Sequence, residues 1–595
     1  MNGFNVLEKP VANNVMFDPI AFKAQFPLFK QSDNSALVYL DNAATTQKPQ
    51  VVIDAITEYY LCQNASAHRA SHRLGRNVTR MIERTRLKAA QFVGASAETI
   101  FFTSGATDGL NHVASMLAGT LEPGDEVIVS MAEHHANVLP WILLSQTHGI
   151  ILRYLPSDSS GVPDVSVLPD ILNARTRVVS LTAASNALGF ELPLAQVGQH
   201  LKHHPAQFIV DAAQWMAHRS VSVDQLGCDF LVCSAHKFYG PAGIGWVYGR
   251  KDALAALSPG YIGGGVVEDV QLFDYKLIDG PQRFEAGSPN GSAIAGLEAC
   301  LDWWSQLDRP AIQAYEKSLM VYAHERLADI KSIMLLSCPD NNVGVLSFMI
   351  KPQLSDGSSN MSSYDLAQWL DQADIAVRSG HHCAQPLHDQ LSVDGSIRLS
   401  FAAYNTTGDV DRCVTEIVAC FANDQRLAVN EAVASADWVN THSGHHDGEQ
   451  DDTFDRHTAL NLYDLSSVDL NALAEIDNGQ QRYKKIMRYA ALIPAQASIR
   501  QPQHLVTGCE TQVWLHGYRY HGLMYFQLDS DSRIIRGLGV LLLKHIQAQA
   551  PQDILMLNVD DMFNRYGLGQ QLTPSRGNGF RAMISRVQAL AKPAG

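Results

Sequence analysis

The sequence predicts an α/β protein built on a mostly parallel sheet, and three observations carry that prediction. From about Ala36 to Gly280, short apolar runs alternate with helix-like stretches. Most of the runs lack the polar alternation of a half-exposed strand, so they read as strands buried on both faces. Chemically useful side chains follow the runs, at the carboxyl ends where open α/β sheets bind ligands.

The runs are Ile100–Phe102, Val127–Val129, Ile150–Tyr154, Val178–Thr182, Phe208–Val210, Phe230–Cys233 and Ile244–Tyr248. Behind five of them stand Thr103-Ser104-Gly105-Ala106-Thr107, then Glu133-His134-His135, then Ser185-Asn186, then Asp211 with Gln214, then Ser234-Ala235-His236-Lys237. That repetition is more specific than any single motif.

With 595 residues the chain is too long for one core, and two to four domains are expected. A hydrophobic content of 46% with 18% charged residues is globular. The net charge of −15 argues against nucleic-acid binding through a basic surface. Met1–Val11 lacks the basic and apolar regions of a secretory signal, and no run reaches the length of a membrane span. Nine cysteines, an odd count without CxxC spacing, predict reduced cytosolic thiols and neither a disulfide framework nor a zinc cage.

The domain reading is an N-terminal arm and large domain over 1–285, then a smaller α+β domain over 286–423 with strands Val343–Ile350 and Ile397–Phe401. Residues 424–465 read as a flexible linker, because the stretch 440–452 is polar, rich in His and acid, and without apolar periodicity. Such a tether spans roughly 30–40 Å. A separate unit over 466–595 has a helical opening, Leu470–Leu492. Strands Gln512–Leu515 and Gly522–Phe526 and helices Arg536–Ile546 and Gly577–Leu590 follow.

Lys237 and Asp211 place an amine and a carboxylate at neighbouring strand ends. Pyridoxal phosphate (PLP) needs that pair, a lysine for the Schiff base and an acid for the pyridine nitrogen. Asp211 also suits a helix N-cap. The Gly105-Ala106-Thr107 turn opens a helix near Asp108, and free amides at a helix N-terminus bind phosphate. His134 suits stacking on a flat ring or a hydrogen-bonded loop. Gly240–Gly245 lacks the Lys-Ser/Thr ending of a P-loop. In Arg378-Ser379-Gly380-His381-His382-Cys383-Ala384-Gln385-Pro386, the histidines and arginine favour a thiolate at Cys383. Metal binding there lacks matching ligands nearby. Arg398, inside an apolar strand, calls for a carboxylate, either a substrate's or a structural Asp.

These residues, with Tyr39-Leu40-Asp41-Asn42-Ala43-Ala44, His68-Arg69 and Arg283-Phe284-Glu285-Ala286-Gly287, make the chain to about Asp424 resemble the class V, fold-type I PLP enzymes. The resemblance is to group II cysteine desulfurases of the SufS/CsdA type. Residues from about Asp469 to Pro593 resemble the SufE/CsdE sulfur acceptors through Val506-Thr507-Gly508-Cys509, Val513-Trp514-Leu515, Ile535-Arg536-Gly537-Leu538 and Ser575-Arg576-Gly577-Asn578-Gly579. A natural fusion of donor enzyme and acceptor is implied.

By this resemblance Lys237 carries PLP and shuttles protons, Asp211 binds the pyridine nitrogen, Gln214 the phenolic oxygen, and His134 stacks on the ring. Thr107, Ser234 and His236, with the Ala106 amide, hold the phosphate. Ser288 reaches the phosphate of a second subunit, which implies a homodimer. Asn186, Arg398 and Arg378 bind the L-cysteine substrate. Cys383 attacks its sulfur and Cys509 accepts it, for a final acceptor the sequence does not name. Ala106, Ala242 and Ser288 stand where threonine is usual, and Ala106 loses one phosphate contact. A selenocysteine lyase on the same scaffold, or a C-terminal domain that only docks, are the competing readings. No membrane, nucleic acid or metal is expected.

Overall fold

The seven apolar runs form one sheet. Its strands are β1 (Ile100–Thr103), β2 (Glu126–Ser130), β3 (Ile151–Leu155), β4 (Thr176–Thr182), β5 (Gln207–Asp211), β6 (Phe230–Ser234) and β7 (Gly245–Gly249), in the order β1-β7-β6-β5-β4-β2-β3. Only β7 runs antiparallel to its neighbours, β1 and β6. The structure, a computed structural model, describes residues 17–68, 71–351, 361–422, 463, 465–476, 479–493, 497–506, 512–558, 561 and 574–592. Arg69, Cys509 and almost all of the predicted linker lie outside the described residues.

Alternate residues of each strand enter different apolar clusters. Phe102, Ile128, Val179, Phe208, Leu231 and Trp246 join one. Their neighbours Phe101, Val127, Val178, Ile209, Phe230 and Val247 join the other. Both faces are therefore covered, as the missing polar alternation predicts. Helix α1 (Ala106–Ala118) lies tight on the sheet. A Cβ at Gly109 would stand 2.6 Å from Val232 Cγ1, so only glycine permits this approach.

The chain divides into two compact units. One comprises Met1–Met349 with Ala376–Arg412, the other Ile350–Ile375 with Cys413–Gly595. The first holds the large sheet, helices α2 (His135–His148) and α4 (Gln385–Leu391), and a four-stranded sheet. That smaller sheet has the order β8 (Ile333–Leu335), β9 (Val345–Ile350), β11 (Ser396–Ser400), β10 (Arg378–Gly380). Antiparallel pairing sets Arg378 directly opposite Arg398.

The second unit contains helix α3 (Ser363–Asp371), closed by a capping box between Ser362 and Asp365. Its own apolar cluster gathers Leu473, Ile486, Leu515, Phe526, Leu528, Leu538, Leu541 and Met583. The predicted strands appear as a hairpin of β12 (Val513–Tyr520) and β13 (Leu523–Ser530). The helical opening expected over Leu470–Leu492 comprises α5 (Leu470–Ala474), α6 (Gly479–Tyr489) and a 3₁₀ turn at Ala490–Leu492. Helices α7 (Arg533–Ile546) and α8 (Pro574–Ala591) complete it. Among the described residues no helix is long and apolar enough to cross a membrane.

Candidate active site

The carboxyl ends of the parallel strands close around a cavity of about 310 Å³. Its floor is regular. β5 ends on Asp211, which is 4% exposed, and its Oδ1 accepts the Ala213 amide at 2.9 Å. β6 ends on Ser234, whose Oγ accepts the Ala106 amide at 2.6 Å. This bond ties the first turn of α1 to the strand that leads into Lys237. The amides of a first turn have no partner within their own helix. Thr107 and His236 flank the same end of the cavity.

The turn bearing Lys237 is clamped from the N-terminal segment. The His236 carbonyl accepts from the Thr46 amide at 3.1 Å, Thr45 Oγ1 at 3.1 Å and Lys48 Nζ at 2.8 Å. Gln214 Nε2 donates to the Ala43 carbonyl at 2.7 Å. His134 caps α2, its Nδ1 accepting the Ala136 amide at 3.0 Å. A neutral His134 therefore carries its proton on Nε2. Beneath it the buried Glu133 accepts from Ser130 Oγ and Asn137 Nδ2, each at 2.6 Å, and Asn137 in turn accepts from Ser180.

The rim is irregular. His382 and Cys383 both have positive φ, 53° and 56°, a left-handed pair that side chains rarely adopt. Three long-range bonds hold it. Asn186 Nδ2 donates to the His382 carbonyl at 2.5 Å, the His135 amide donates to the Cys383 carbonyl at 2.8 Å, and His382 Nε2 meets Ser396 Oγ at 2.9 Å. Ser396 Oγ also meets Nε2 of the buried His388 at 3.0 Å, and His388 Nδ1 faces the Ala384 carbonyl at 3.1 Å. A carbonyl can only accept, so His388 carries its proton on Nδ1. Ser396 then donates to His388, and His382 donates to Ser396. This leaves His382 Nδ1 a bare acceptor, buried and without a partner among the described residues. Cys383 itself is exposed.

Arg398 is 2% exposed and faces the cavity from β11. Its Nη1 donates to the Asn186 carbonyl and its Nη2 to Asp41 Oδ1, each at 2.9 Å. Arg378 holds the same carboxylate through Nε at 3.2 Å and Nη2 at 2.9 Å. The structural carboxylate partner thus exists. Among the described residues, Arg398 Nε has no hydrogen-bond partner.

Burial dominates the electrostatics. It lowers Lys237 to about 8, although the Asp211 carboxylate pulls the other way. It raises the Asp211 carboxyl, opposed by the Ala213 amide and by Lys237. It lowers His134 to about 3, with Lys237, His135 and Arg398 adding to the effect. It raises Glu133 to about 7. The cavity therefore holds an amine more readily deprotonated than an ordinary lysine beside a buried acid, with a neutral imidazole on its wall.

Of the predicted residues, Ala106, Thr107, His134, Asn186, Asp211, Gln214, Ser234, His236, Lys237, Arg378, Cys383 and Arg398 all line this one cavity. Ser288 is exposed. Sequence reasoning missed Lys48, Asp41 as an arginine clamp, Glu133 as the base of the His134 turn, and the pair Ser396 and His388. Asp41 and Glu133 stood inside quoted motifs. The other three bear no local signal.

The donor set fits PLP. A helix N-terminus with Ser234, Thr107 and His236 suits its phosphate. The buried Asp211 suits the pyridine nitrogen, and Lys237, near neutral, suits its aldehyde. Arg398 supplies a guanidinium to the lining of the same cavity.

Residues 38–413 match the model of the "Aminotransferase class-V" family, and residues 469–591 match that of the "Fe-S metabolism associated domain", SufE. A cysteine desulfurase of Dickeya dadantii is 41% identical over 396 residues, 66% of this chain and 94% of that protein. The crystal structure of the cysteine desulfurase CsdA from Escherichia coli superposes with a TM-score of 0.62 at 36% identity, covering 68% of this chain and 98% of that one. A cysteine desulfurase structure from Thermococcus onnurineus gives 0.64 at 34% identity, covering 69% and 100%. The chain belongs to the class-V aminotransferase family, among its PLP-dependent cysteine desulfurases. Behind that domain it carries a SufE-type domain, which lies outside the span shared with these relatives.

Proposed function

We propose that the chain converts L-cysteine to L-alanine through a persulfide on Cys383 and passes the sulfur to Cys509 of a SufE-type domain. The observation that carries this reading is the single cavity that joins Lys237, Asp211 and Arg398 to an exposed Cys383.

PLP, when bound, supplies an electron sink conjugated to the substrate's α-carbon. Arg398 holds the substrate carboxylate, and Asn186 steadies the loop of the nucleophile. Lys237 takes the α-proton and returns it, a role suited to an amine near neutrality. The Cys383 thiolate forms a bond to the substrate sulfur as the Cβ–S bond breaks, and Cβ gains a proton to give alanine. The Cys509 thiolate then attacks the terminal sulfur of the persulfide, and Cys383 leaves as thiolate. No external oxidant is needed.

The protein acts in the cytosol as a homodimer in which Ser288 serves the partner's phosphate site, and it feeds iron–sulfur cluster assembly or another sulfur acceptor. Three features support this. Ser288 is exposed. The hairpin over 267–277 exposes Val270, Leu272, Phe273 and Tyr275, an apolar patch suited to a protein surface. All eight described cysteines are free thiols. The test is alanine stoichiometry without reductant. A Cys509→Ser chain should release one alanine per site and stop, and wild type two. Equal bursts would demote the C-terminal domain to docking.

A further inference from the structure

A buried carboxylate of the class-V portion sits on a helix N-terminus of the SufE-type portion. Asp365 lies within the class-V match and Ser532 and Ile534 within the SufE match, and all three belong to the second compact unit. Ser532 Oγ donates to Asp365 Oδ1 at 2.9 Å, and the Ile534 amide approaches the same oxygen at 3.3 Å. Asp365 is 1% exposed, and Ser532 and Ile534 are fully buried.

The two oxygens of Asp365 divide the work. Oδ2 accepts the Ser362 amide at 3.0 Å and Ser362 Oγ at 2.8 Å, which closes the capping box of α3. Oδ1 turns to the first turn of α7, where Ser532 is itself the N-cap and accepts the Ile535 amide. A carboxylate at the positive end of a 14-residue helix gains from both hydrogen bonding and the helix dipole. Such an acid stays buried only while its partners stay in place, because an unpaired buried carboxylate is costly.

We infer that Asp365 and the Ser532 cap of α7 form a docking contact that holds the SufE-type domain to the class-V portion independently of the connecting segment. The partner of this surface is the chain's own C-terminal domain. Sequence alone describes that domain as a module on a tether. The contact instead makes α3 part of its support. The inference goes beyond the sulfur relay and does not depend on Cys509 chemistry.

The test inserts a site-specific protease sequence after Asp452 in the full-length protein and cleaves it after purification. Association of the two fragments is then followed by size-exclusion chromatography and by titration. The wild-type fragments should stay together. Ser532→Ala and Asp365→Ala should each weaken association roughly 10–100-fold, the effect of stripping a hydrogen bond from a buried charged group. Ser362→Ala, which removes only the capping box of α3, should leave association within about twofold of wild type. PLP absorbance and alanine formation should be unchanged in all three, because none of these residues lines the active-site cavity. Wild-type fragments that separate on cleavage would overturn the inference. So would Ser532→Ala fragments that bind as tightly as wild type, or a Ser362→Ala effect as large as that of Asp365→Ala.

Discussion

The floor and the rim of the cavity are built by opposite means. The floor hangs from regular strand ends. Asp211 and Ser234 are the last residues of β5 and β6, and both are buried. The rim is a left-handed pair, His382 and Cys383, held by bonds from Asn186, His135 and Ser396. The difference follows from what each must do. A cofactor site has to be dry and fixed, so that burial can bring Lys237 close to neutrality. The proposed relay needs a sulfur nucleophile that a second protein surface can reach, and Cys383 is exposed on a loop held by those bonds.

Breaking the floor should have the largest effect. Lys237→Ala should cut alanine formation by at least about 10³–10⁴-fold, because anchor and proton carrier are lost together. Steady-state alanine release measures it.

Arg398→Lys comes next. The planar guanidinium donates at once to the Asn186 carbonyl and to Asp41, and an ammonium cannot reproduce that fork. KM for L-cysteine should rise roughly 10–100-fold, read from initial rates over a wide substrate range.

Bracing of the rim predicts a smaller loss of another kind. Ser396→Ala breaks the link between His382 and His388 and leaves buried ring nitrogens without partners. First-turnover persulfide formation on Cys383 should slow about 5–20-fold, while KM and PLP absorbance hold. Ser396→Thr, which keeps the hydroxyl, should restore most of the rate. A matching loss of PLP would instead show that rim and floor are one structure.

The last effect is one of pH and needs no substitution. Lys237 is lowered to about 8, so the neutral amine grows about tenfold per unit below that pH and saturates above it. PLP uptake by apo-protein should follow the same curve. His134, held near 3, adds no step between pH 5 and 9.

The same contrast explains what could be read in advance. The strands and floor residues were legible, because a buried parallel strand writes itself as an unbroken apolar run and its useful residue comes next in the chain. Ser396 and His388 were not. They act on His382 from 14 and 6 residues away through a fold that brings β11 and the helix Gln385–Leu391 together. Lys48 reaches the His236 carbonyl across 188 positions.

The most direct measurement is peptide mass spectrometry after a brief pulse of isotopically labelled L-cysteine, without reductant. The relay predicts one added sulfur on Cys383 first and on Cys509 later, with neither labelled in Cys383→Ser. Label on Cys509 in that variant, or alanine formed with no labelled cysteine in wild type, would contradict it.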